Sequence, residues 1–349
     1  MVVADFRLRK DPWKIAAMEI GNSSSASASI PRRGYLYVAS AALMWAVSGS
    51  SAKYLFSHGV TPLQLTQLRL TIGIALLFAW LLARRPELLR IARRDIVYFA
   101  LLGATGLAMV QFLYLLTISK LKVAVAILMQ YLAPVLIVLY SLLFARETLT
   151  RMTVIAVCCA TMGCYLVVGA YNFDLFSLNR EGVLYGFACA IAFAWYSLYG
   201  EKGMRRYHPW TVLFYAILFA AVFWNSAHLL WEAAPRPFEA FRQHYSAGDW
   251  GLILYIAILG TIVPFGLYFD AISLIRSTRA SITATLEPIS AGIISFFFLG
   301  EALEPLQVLG MGLVIGAVIL LQLRREEDPG TPAMIRSRLE SPDGGTLGS

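Results

Sequence analysis

Ten apolar segments divide this sequence, and each is close to the twenty or so residues that an α-helix needs to cross a bilayer. They lie at residues 35–57, 62–83, 96–118, 123–144, 152–170, 182–200, 210–231, 250–271, 280–299 and 305–323. The composition agrees with this pattern, because 58% of the residues are hydrophobic and 14% are charged. Soluble domains contain about 45–50% apolar and about 25% charged residues. The sequence therefore predicts an all-α integral membrane protein with ten transmembrane helices.

The second half of the chain repeats the first at a constant offset of 154 residues, which is the separation of Pro134 and Pro288. The same offset aligns Glu301 with Glu147, Leu303 with Leu149, Ser273 with Ser119, Ala280 with Ala126, Tyr268 with Tyr114, Gly260 with Gly106 and Asp249 with Asp95. One offset that holds over so many positions indicates an internal duplication. Each unit has five helices, an odd number, so the second unit must enter the membrane from the opposite face. We therefore expect two inverted five-helix repeats, the architecture of many secondary transporters.

The two repeats and the two ends of the chain define four regions. Residues 1–34 are polar, contain a serine-rich run and are predicted to form a flexible cytoplasmic tail. Residues 35–170 form the first repeat and residues 171–323 form the second. Residues 324–349 are charged and contain proline and glycine, so we expect a disordered cytoplasmic tail there.

The Lys and Arg residues of the short loops predict the orientation of the chain in the membrane. If the N-terminus is cytoplasmic, the cytoplasmic loops hold Arg84, Arg85, Arg90, Arg93, Arg94, Arg146, Arg151, Lys202, Arg205, Arg206, Arg276 and Arg279. The outer loops then hold only Lys120, Lys122, Arg180, Arg236 and Arg242. This asymmetry predicts that both termini are cytoplasmic. We expect the protein to lie in a bacterial inner membrane. It also accounts for the net charge of +8, so we expect no nucleic-acid partner.

Four runs of the sequence mark the boundaries of the two units. The first unit opens with ALMWAVSGSSAK and TPLQLTQLRL and closes with FARETLTRMTVIAVCCATMGCYLVV, and the second closes with FFFLGEALEPLQVLGMGLVIGAVIL. These runs resemble the EamA family of the drug/metabolite transporter superfamily, and the likeness covers residues 35–323. The resemblance implies ten helices, an inverted repeat and a central cavity that serves the export of amino acids, other metabolites or drugs.

Glu287 is a carboxylate well inside an apolar segment, where an ionisable group is costly and marks a functional site by default. The first half has Ala133 at the equivalent position, so any coupling chemistry rests on one carboxylate. Glu287 is a candidate to bind a substrate amine or to take up a proton. The alternative is a structural hydrogen bond or an ion pair with a neighbouring helix, for example with Arg69.

Arg69 lies about 10 Å, or two turns, into the second apolar segment. It is a candidate to bind a substrate carboxylate through two parallel hydrogen bonds. The alternative is that its side chain extends to the membrane surface or pairs with a helix end.

Three prolines are expected to interrupt apolar helices. Proline has no N–H to donate to the carbonyl one turn earlier. Pro134 therefore frees the carbonyl of Gln130, Pro264 frees that of Gly260 and Pro288 frees that of Ala284. A freed carbonyl inside a bilayer must face protein, water or ligand. We therefore expect the substrate cavity beside these breaks.

Amide and phenol side chains near the breaks are further candidates for substrate binding, because such groups suit a polar small-molecule cavity. They are Gln111, Tyr114, Gln130, Tyr131 and Tyr268. The alternative is hydrogen bonding between helices, which is worth about 0.6 kcal/mol on average in membranes. Trp45, Ser48, Trp195 and Tyr199 on the first and sixth segments complete the candidate cavity lining. For their aromatic members the alternative is packing within the bilayer or anchoring at its interface.

Three charged residues near segment ends are expected to be structural. Glu147 and Glu301 are predicted to cap the helix that follows each of them, where a carboxylate meets the positive end of the helix dipole. Lys53 is expected to extend to the outer membrane surface. We do not expect the two carboxylates to contact substrate.

The sequence contains no Walker loop, nucleophile elbow, HExxH motif or dinucleotide-binding fingerprint. We therefore expect no enzyme activity, no catalytic residue, no cofactor and no metal. The leading hypothesis is a secondary transporter that exports small organic metabolites, such as amino acids, by alternating access. The alternatives are efflux of drugs or amphipathic cations, an enzyme for lipid-linked substrates, and a non-transporting membrane scaffold. The expected partners are a small-molecule substrate and the bilayer. Coupling to protons, and the choice between monomer and homodimer, stay open.

Overall fold

Helices account for the regular structure throughout the described part of the chain. The structure, a computed structural model, describes residues 32–133, 135–137, 140, 151–169, 171–204, 206–229, 236, 238–275, 280 and 283–327. No strand occurs within these ranges. The predicted all-α class is confirmed.

The described residues form helices at all ten predicted segments. We number them α1 Arg32–Ser57, α2 Pro62–Arg84, α3 Ile96–Leu101 continued by Leu102–Leu107 and Ala108–Lys120, α4 Val123–Gln130, α5 Arg151–Val167, α6 Phe173–Met204, α7 Pro209–Ser226, α8 Ala247–Ala257 continued by Ile258–Ile262 and Val263–Ile275, α9 Leu286–Leu299 and α10 Pro305–Glu327. The middle pieces of α3 and α8 are π-helical. Short 3₁₀ turns at Pro86–Leu89 and Arg93–Asp95 lead from α2 into α3, and another at Glu239–Arg242 precedes α8.

Within the described residues, five helical spans are long and apolar enough to cross a membrane. They are Pro62–Arg84, Arg93–Lys120, Arg180–Met204, Pro209–Ser226 and Ala247–Tyr268. Shorter apolar helices lie at Val123–Ile137, Val154–Val167, Leu286–Leu299 and Pro305–Leu320. Large apolar side chains face outward, with Phe297 76% and Phe298 81% exposed on α9. Such a surface suits contact with lipid acyl chains rather than with water.

Local sequence explains where several helices begin. Thr61 and Gln64 form a capping box in front of α2, and Ser246 and Asp249 form another in front of α8. Proline occupies the first position of α2, α7 and α10, where a missing N–H breaks no intrahelical bond.

Helix α4 lies at the centre of the bundle. All residues of Val123–Met129 are buried, and they pack against side chains of α1, α5, α9 and α10. A helix that is apolar on all sides belongs inside a bundle. A second cluster of buried residues joins α2, α3 and α7. Helices α5 and α10 approach backbone to backbone, because a Cβ on Gly163 would lie 2.8 Å from the Gly310 carbonyl oxygen.

The two broken helices are interrupted at equivalent positions. Helix α4 ends at Gln130 and is followed by a turn at Tyr131 and Leu132, whereas α9 begins at Leu286 after a turn at Thr285. Tyr131 and Thr285 are related by the 154-residue offset. Pro288 lies in the first turn of α9. The predicted break at Pro134 and the predicted cap at Glu147 fall on positions outside the described residues.

Candidate functional site

Helix α8 runs on through Pro264 as a π-helical piece followed by α-helix, so the predicted break is only a break in its backbone hydrogen bonding, and Arg69 binds there. Pro264 cannot donate to the Gly260 carbonyl, and the Arg69 Nη2 donates to that oxygen instead, at 3.0 Å. The Arg69 Nε donates to the Thr261 Oγ1 at 2.7 Å. Arg69 is only 5% exposed, so its guanidinium lies inside the bundle and not at a membrane surface. Of the two structural alternatives, its contacts correspond to pairing with an interrupted helix.

Tyr131 fills the break in α9. Its hydroxyl lies 2.8 Å from the carbonyl oxygen of Ala284, the group that Pro288 leaves without an N–H partner. The same hydroxyl lies 3.2 Å from the Glu287 Oε2. A phenol has one hydrogen to donate. The carbonyl and an ionised Glu287 therefore compete for one proton.

Five predicted residues come together around these two breaks. Tyr114 of α3 interacts electrostatically with both Arg69 and Glu287, and Tyr131 interacts with both Tyr114 and Tyr268. The cluster draws on α2, α3, the turn after α4, α8 and α9, so both halves of the chain contribute. We name Arg69, Tyr114, Tyr131, Tyr268 and Glu287 the midplane cluster.

The two ionisable side chains Arg69 and Glu287 of the midplane cluster are not paired with each other. Glu287 is partly exposed although it lies between helices. Helix α8 engages two of the five N–H donors of Arg69 among the described residues. No contact as short as a salt bridge joins these two side chains, both of which are described. The site therefore holds a carboxyl group and a guanidinium group that are not joined by a salt bridge.

Helix α1 packs closely beside the α8 break. A Cβ on Gly260 would lie 2.3 Å from the Ser48 Oγ, so only glycine permits this approach. The Trp45 ring lies 5.5 Å from Phe265 and 5.9 Å from Tyr268, measured between ring centroids. Trp45 and Ser48 therefore border the midplane cluster at α8.

The two predicted glutamines differ in exposure. Gln111 is buried on α3, about one turn before Tyr114. Gln130 is partly exposed and ends α4, directly before Tyr131. Gln130 is therefore adjacent in sequence to a member of the midplane cluster, and Gln111 lies one helical turn from another.

Trp195 and Tyr199 lie elsewhere, in a groove between α3 and α6. Their rings stack at 4.8 Å with an interplanar angle of 13°. Trp195 is 45% exposed, and its Nε1 donates to the Thr105 Oγ1 at 3.2 Å. The structure does not bring these two residues together with Glu287. The described part of the chain also holds no cluster of three or more His, Cys, Asp or Glu side chains that could bind a metal.

Comparison with known families is decisive for the identity of this helical bundle. The family model described as "EamA-like transporter family" matches residues 32–169 and 180–323. The chain belongs to the EamA-like transporter family. The resemblance inferred from the sequence runs is confirmed, and the protein is a membrane transporter of that family.

Several proteins of the EamA-like family are similar over most of this chain. The inner membrane transporter YicL of Salmonella typhimurium, named as uncharacterized, is 28% identical over 84% of this chain and 96% of its own length. An uncharacterized transporter of Archaeoglobus fulgidus is 28% identical over 81% of this chain and 93% of its own. The threonine/homoserine exporter RhtA of Escherichia coli K12 is 25% identical over 79% of this chain and 88% of its own length. A solved crystal structure with 24% identity matches with a TM-score of 0.55, over 84% of this chain and 99% of that chain, and shows the fold alone.

A second polar cluster joins the two halves of this EamA-like protein near the end of α1. The Lys53 Nζ donates to the carbonyl oxygens of Ile118 and Leu121, each at 2.8 Å, and lies 3.5 Å from the Glu301 Oε1. The Glu301 Oε2 accepts a hydrogen bond from the Val123 N–H at 2.8 Å. Lys122 adds a bond from its Nζ to the Ala302 carbonyl oxygen at 2.6 Å.

Two structural predictions made for this region were wrong in detail. Glu301 caps α4 in the other half of the chain, not α10, which follows it. Lys53 turns inward to the end of α3 and does not extend to the surface. Glu301 caps a helix as expected. Tertiary packing brings the start of α4 to it, so it caps α4 and not the start of α10, which is nearer in sequence. The only sequence signal was the presence of Lys53 and Glu301 in the runs that resemble the EamA family.

Proposed function

We propose that this protein is a secondary transporter that exports small organic metabolites, such as amino acids, across a bacterial inner membrane. Two inverted five-helix repeats, residues 35–170 and 171–323, rock against each other and expose a midplane cavity to each side in turn. The observation that carries the proposal is the midplane cluster. It gathers a cation, a carboxylate and phenols from both halves of the chain at two proline-marked breaks.

Three equivalences between the halves support the repeat arrangement. The family model matches two separate segments of similar length. The helix breaks at Tyr131 and Thr285 are related by the 154-residue offset. The π-helical piece Leu102–Leu107, moved by the same offset, overlaps Ile258–Ile262. Ten spanning helices and cytoplasmic termini follow from this arrangement and from the basic loops.

The separation of charge in the midplane cluster favours a zwitterionic substrate. A carboxylate binds to the free donors of Arg69, and an ammonium group binds to Glu287. Tyr114 lies within electrostatic range of both charges and completes the polar wall. RhtA, which is named as an exporter of threonine and homoserine, provides independent support for an amino-acid substrate.

The Tyr131 hydroxyl links occupancy of Glu287 to the break in α9. When Glu287 is ionised and empty, it draws the hydroxyl hydrogen away from the Ala284 carbonyl. A proton or a substrate ammonium on Glu287 removes that competition, and the hydroxyl returns to the carbonyl. The loaded and empty states therefore differ in how Ala284 is held against the start of α9. This difference couples substrate and proton to the rocking of the repeats.

The test varies the ligand and leaves the protein intact. Purified wild-type protein is melted with threonine, with the amine that lacks its carboxylate, and with the hydroxy acid that lacks its ammonium group. Threonine at 100 times its dissociation constant should add about 2.7 kcal/mol of stability. Each analogue at the same concentration should give a much smaller shift, because one charge of the site is left without its partner.

Two variants localise the effect. Glu287→Gln should remove the threonine shift, and Glu87→Gln, an equal change at an exposed position in the α2–α3 loop, should preserve it. Equal stabilisation by threonine and by both analogues would contradict a zwitterion site. Failure of reconstituted wild-type protein to move any small molecule would favour the scaffold and remove the transporter proposal.

Export of amphipathic cations is the second candidate, favoured by the aromatic group of Trp45, Phe265 and Tyr268 beside the midplane cluster. Aromatic faces attract cations, and such a substrate would use Glu287 without Arg69. Stabilisation by the amine analogue and by lipophilic cations, with none by threonine, would select this candidate.

A further inference from the structure

An apolar groove runs along the outer face of the bundle between α3 and α6. Its volume is about 580 Å³. Helix α3 contributes Leu101, Thr105, Met109 and Leu113, and α6 faces them with small and apolar side chains that include Ala188 and Ala192. Thr105 and Trp195 form the hydrogen bond within this lining. The groove is open to the side, where the bilayer lies.

The length of the groove corresponds to one leaflet. From Leu101 to Leu113 the helix rises about 18 Å at 1.5 Å per residue. Half of the hydrocarbon core of a bilayer is about 15 Å. One acyl chain of a phospholipid therefore fits along the groove from the interface to the midplane.

Cations lie beyond one end of the groove. Lys202 follows Trp195 by seven residues on α6 and so lies on the same helical face. Arg94 precedes Leu101 by seven residues and lies in the 3₁₀ turn that leads into α3. Both side chains are exposed, and neither makes an ion pair within the described part of the chain. The contact of 3.8 Å between Arg206 Nη1 and Asp95 Oδ1 shows that these two helix ends are adjacent.

We propose that this groove binds one anionic phospholipid. An acyl chain lies along Thr105 and Ala192, and the headgroup phosphate binds Arg94 and Lys202. Beyond the opposite end, Lys120 and Glu181 pair with each other at 2.9 Å, so Arg94 and Lys202 set the direction in which the lipid binds. Because α3 also carries Tyr114, the bound lipid packs directly against a helix of the midplane cluster.

The occupant is a lipid and not a second copy of the chain, because the groove has the length of an acyl chain and has cations at the end where a headgroup would lie. The cation pair at one end complements a phosphate, and the lateral opening faces the acyl region of the bilayer. A bound lipid of this kind adds to any metabolite site at Glu287 and does not depend on it.

The experiment compares lipids that share acyl chains but differ in headgroup charge. Full-length protein in detergent is titrated with phosphatidylglycerol or phosphatidylcholine, and bound lipid is counted by native mass spectrometry while the melting temperature is recorded. One phosphatidylglycerol should be retained per chain and should raise the melting temperature. Phosphatidylcholine should do neither at the same concentration.

Two kinds of variant test the two parts of the site. Arg94→Gln with Lys202→Gln should weaken phosphatidylglycerol binding roughly thirtyfold, because each cation near an anionic headgroup contributes about 1 kcal/mol of attraction. Arg32→Gln with Arg33→Gln, an equal loss of charge at the exposed start of α1, should leave it unchanged. Ala192→Phe should fill the groove and abolish retention. Its melting temperature without lipid reports whether the variant is folded, and Ala188→Phe provides a second filling variant.

Three results would overturn the proposal. Retention of several lipids that is insensitive to all variants would indicate ordinary annular lipid. Equal retention of phosphatidylcholine would remove the anionic headgroup from the site. A dimer that Ala192→Phe dissociates would assign the groove to a second copy of the chain.

Discussion

The breaks in α8 and α9 both leave a carbonyl without its N–H partner, yet different side chains fill them. At Pro264 the donor is Arg69, a permanent cation that binds Gly260 and Thr261 at once. At Pro288 the donor is the single hydroxyl of Tyr131, which also reaches Glu287. The first break is therefore held in one state. We propose that the second has two states, because its donor also reaches a group that can gain or lose a proton.

Removing the donor at the α8 break should have the largest effect. Arg69→Leu leaves the Gly260 carbonyl and the Thr261 hydroxyl without their charge-assisted bonds, so we expect a loss of about 3 kcal/mol in the free energy of unfolding. Arg69→Lys keeps the charge but cannot form both bonds, so its free energy of unfolding should lie between those of the wild type and the leucine variant. Denaturant unfolding in detergent measures both. A leucine variant as stable as the wild type would show that Arg69 does not hold this break.

Removing the donor at the α9 break should have a smaller effect on stability. Tyr131→Phe leaves the Ala284 carbonyl without its hydroxyl, and we expect a loss of about 1 kcal/mol. Tyr255→Phe is a matched control on α8, because its hydroxyl makes a long bond of 3.4 Å to the Met44 carbonyl oxygen. Thermal unfolding of both variants provides the measurement. An equal loss in the two would indicate a general effect of removing a phenol hydroxyl.

Restoring a backbone donor at the α9 break should change stability least and function most. Pro288→Ala supplies an N–H within reach of the Ala284 carbonyl, which frees the Tyr131 hydroxyl for Glu287 permanently. We expect a change within about 0.5 kcal/mol in stability. Transport in proteoliposomes should fall severalfold, because the break no longer responds to occupancy of Glu287. Unchanged transport would argue against competition for the hydroxyl.

The breaks also show how far the sequence predicts the site. Proline chemistry identified the Gly260 and Ala284 carbonyls, since the missing N–H is a local property of the chain. It did not identify Arg69 and Tyr131 as their donors, because these lie 191 and 153 residues away in sequence. Tertiary packing alone brings them there.

The placement of Trp195 and Tyr199 shows a different limit. The sequence predicted their depth in an apolar segment, but it did not predict which face of α6 they lie on. Membrane helices carry apolar residues on lipid-facing and buried sides alike, so hydrophobic periodicity does not distinguish the two. Glu301 was not assigned to α4 for the reason that applies to Arg69 and Tyr131, because the start of α4 lies close to it only after the two halves pack together.

The most direct test of the two-state break is the pH dependence of transport with and without Glu287. Wild-type protein and Glu287→Gln are reconstituted in proteoliposomes, and substrate flux is measured with and without an opposing proton gradient. We expect the gradient to accelerate flux in the wild type and to have no effect on the residual flux of a folded Glu287→Gln variant. A wild type that ignores the gradient, or a Gln variant that still responds to it, would contradict the account.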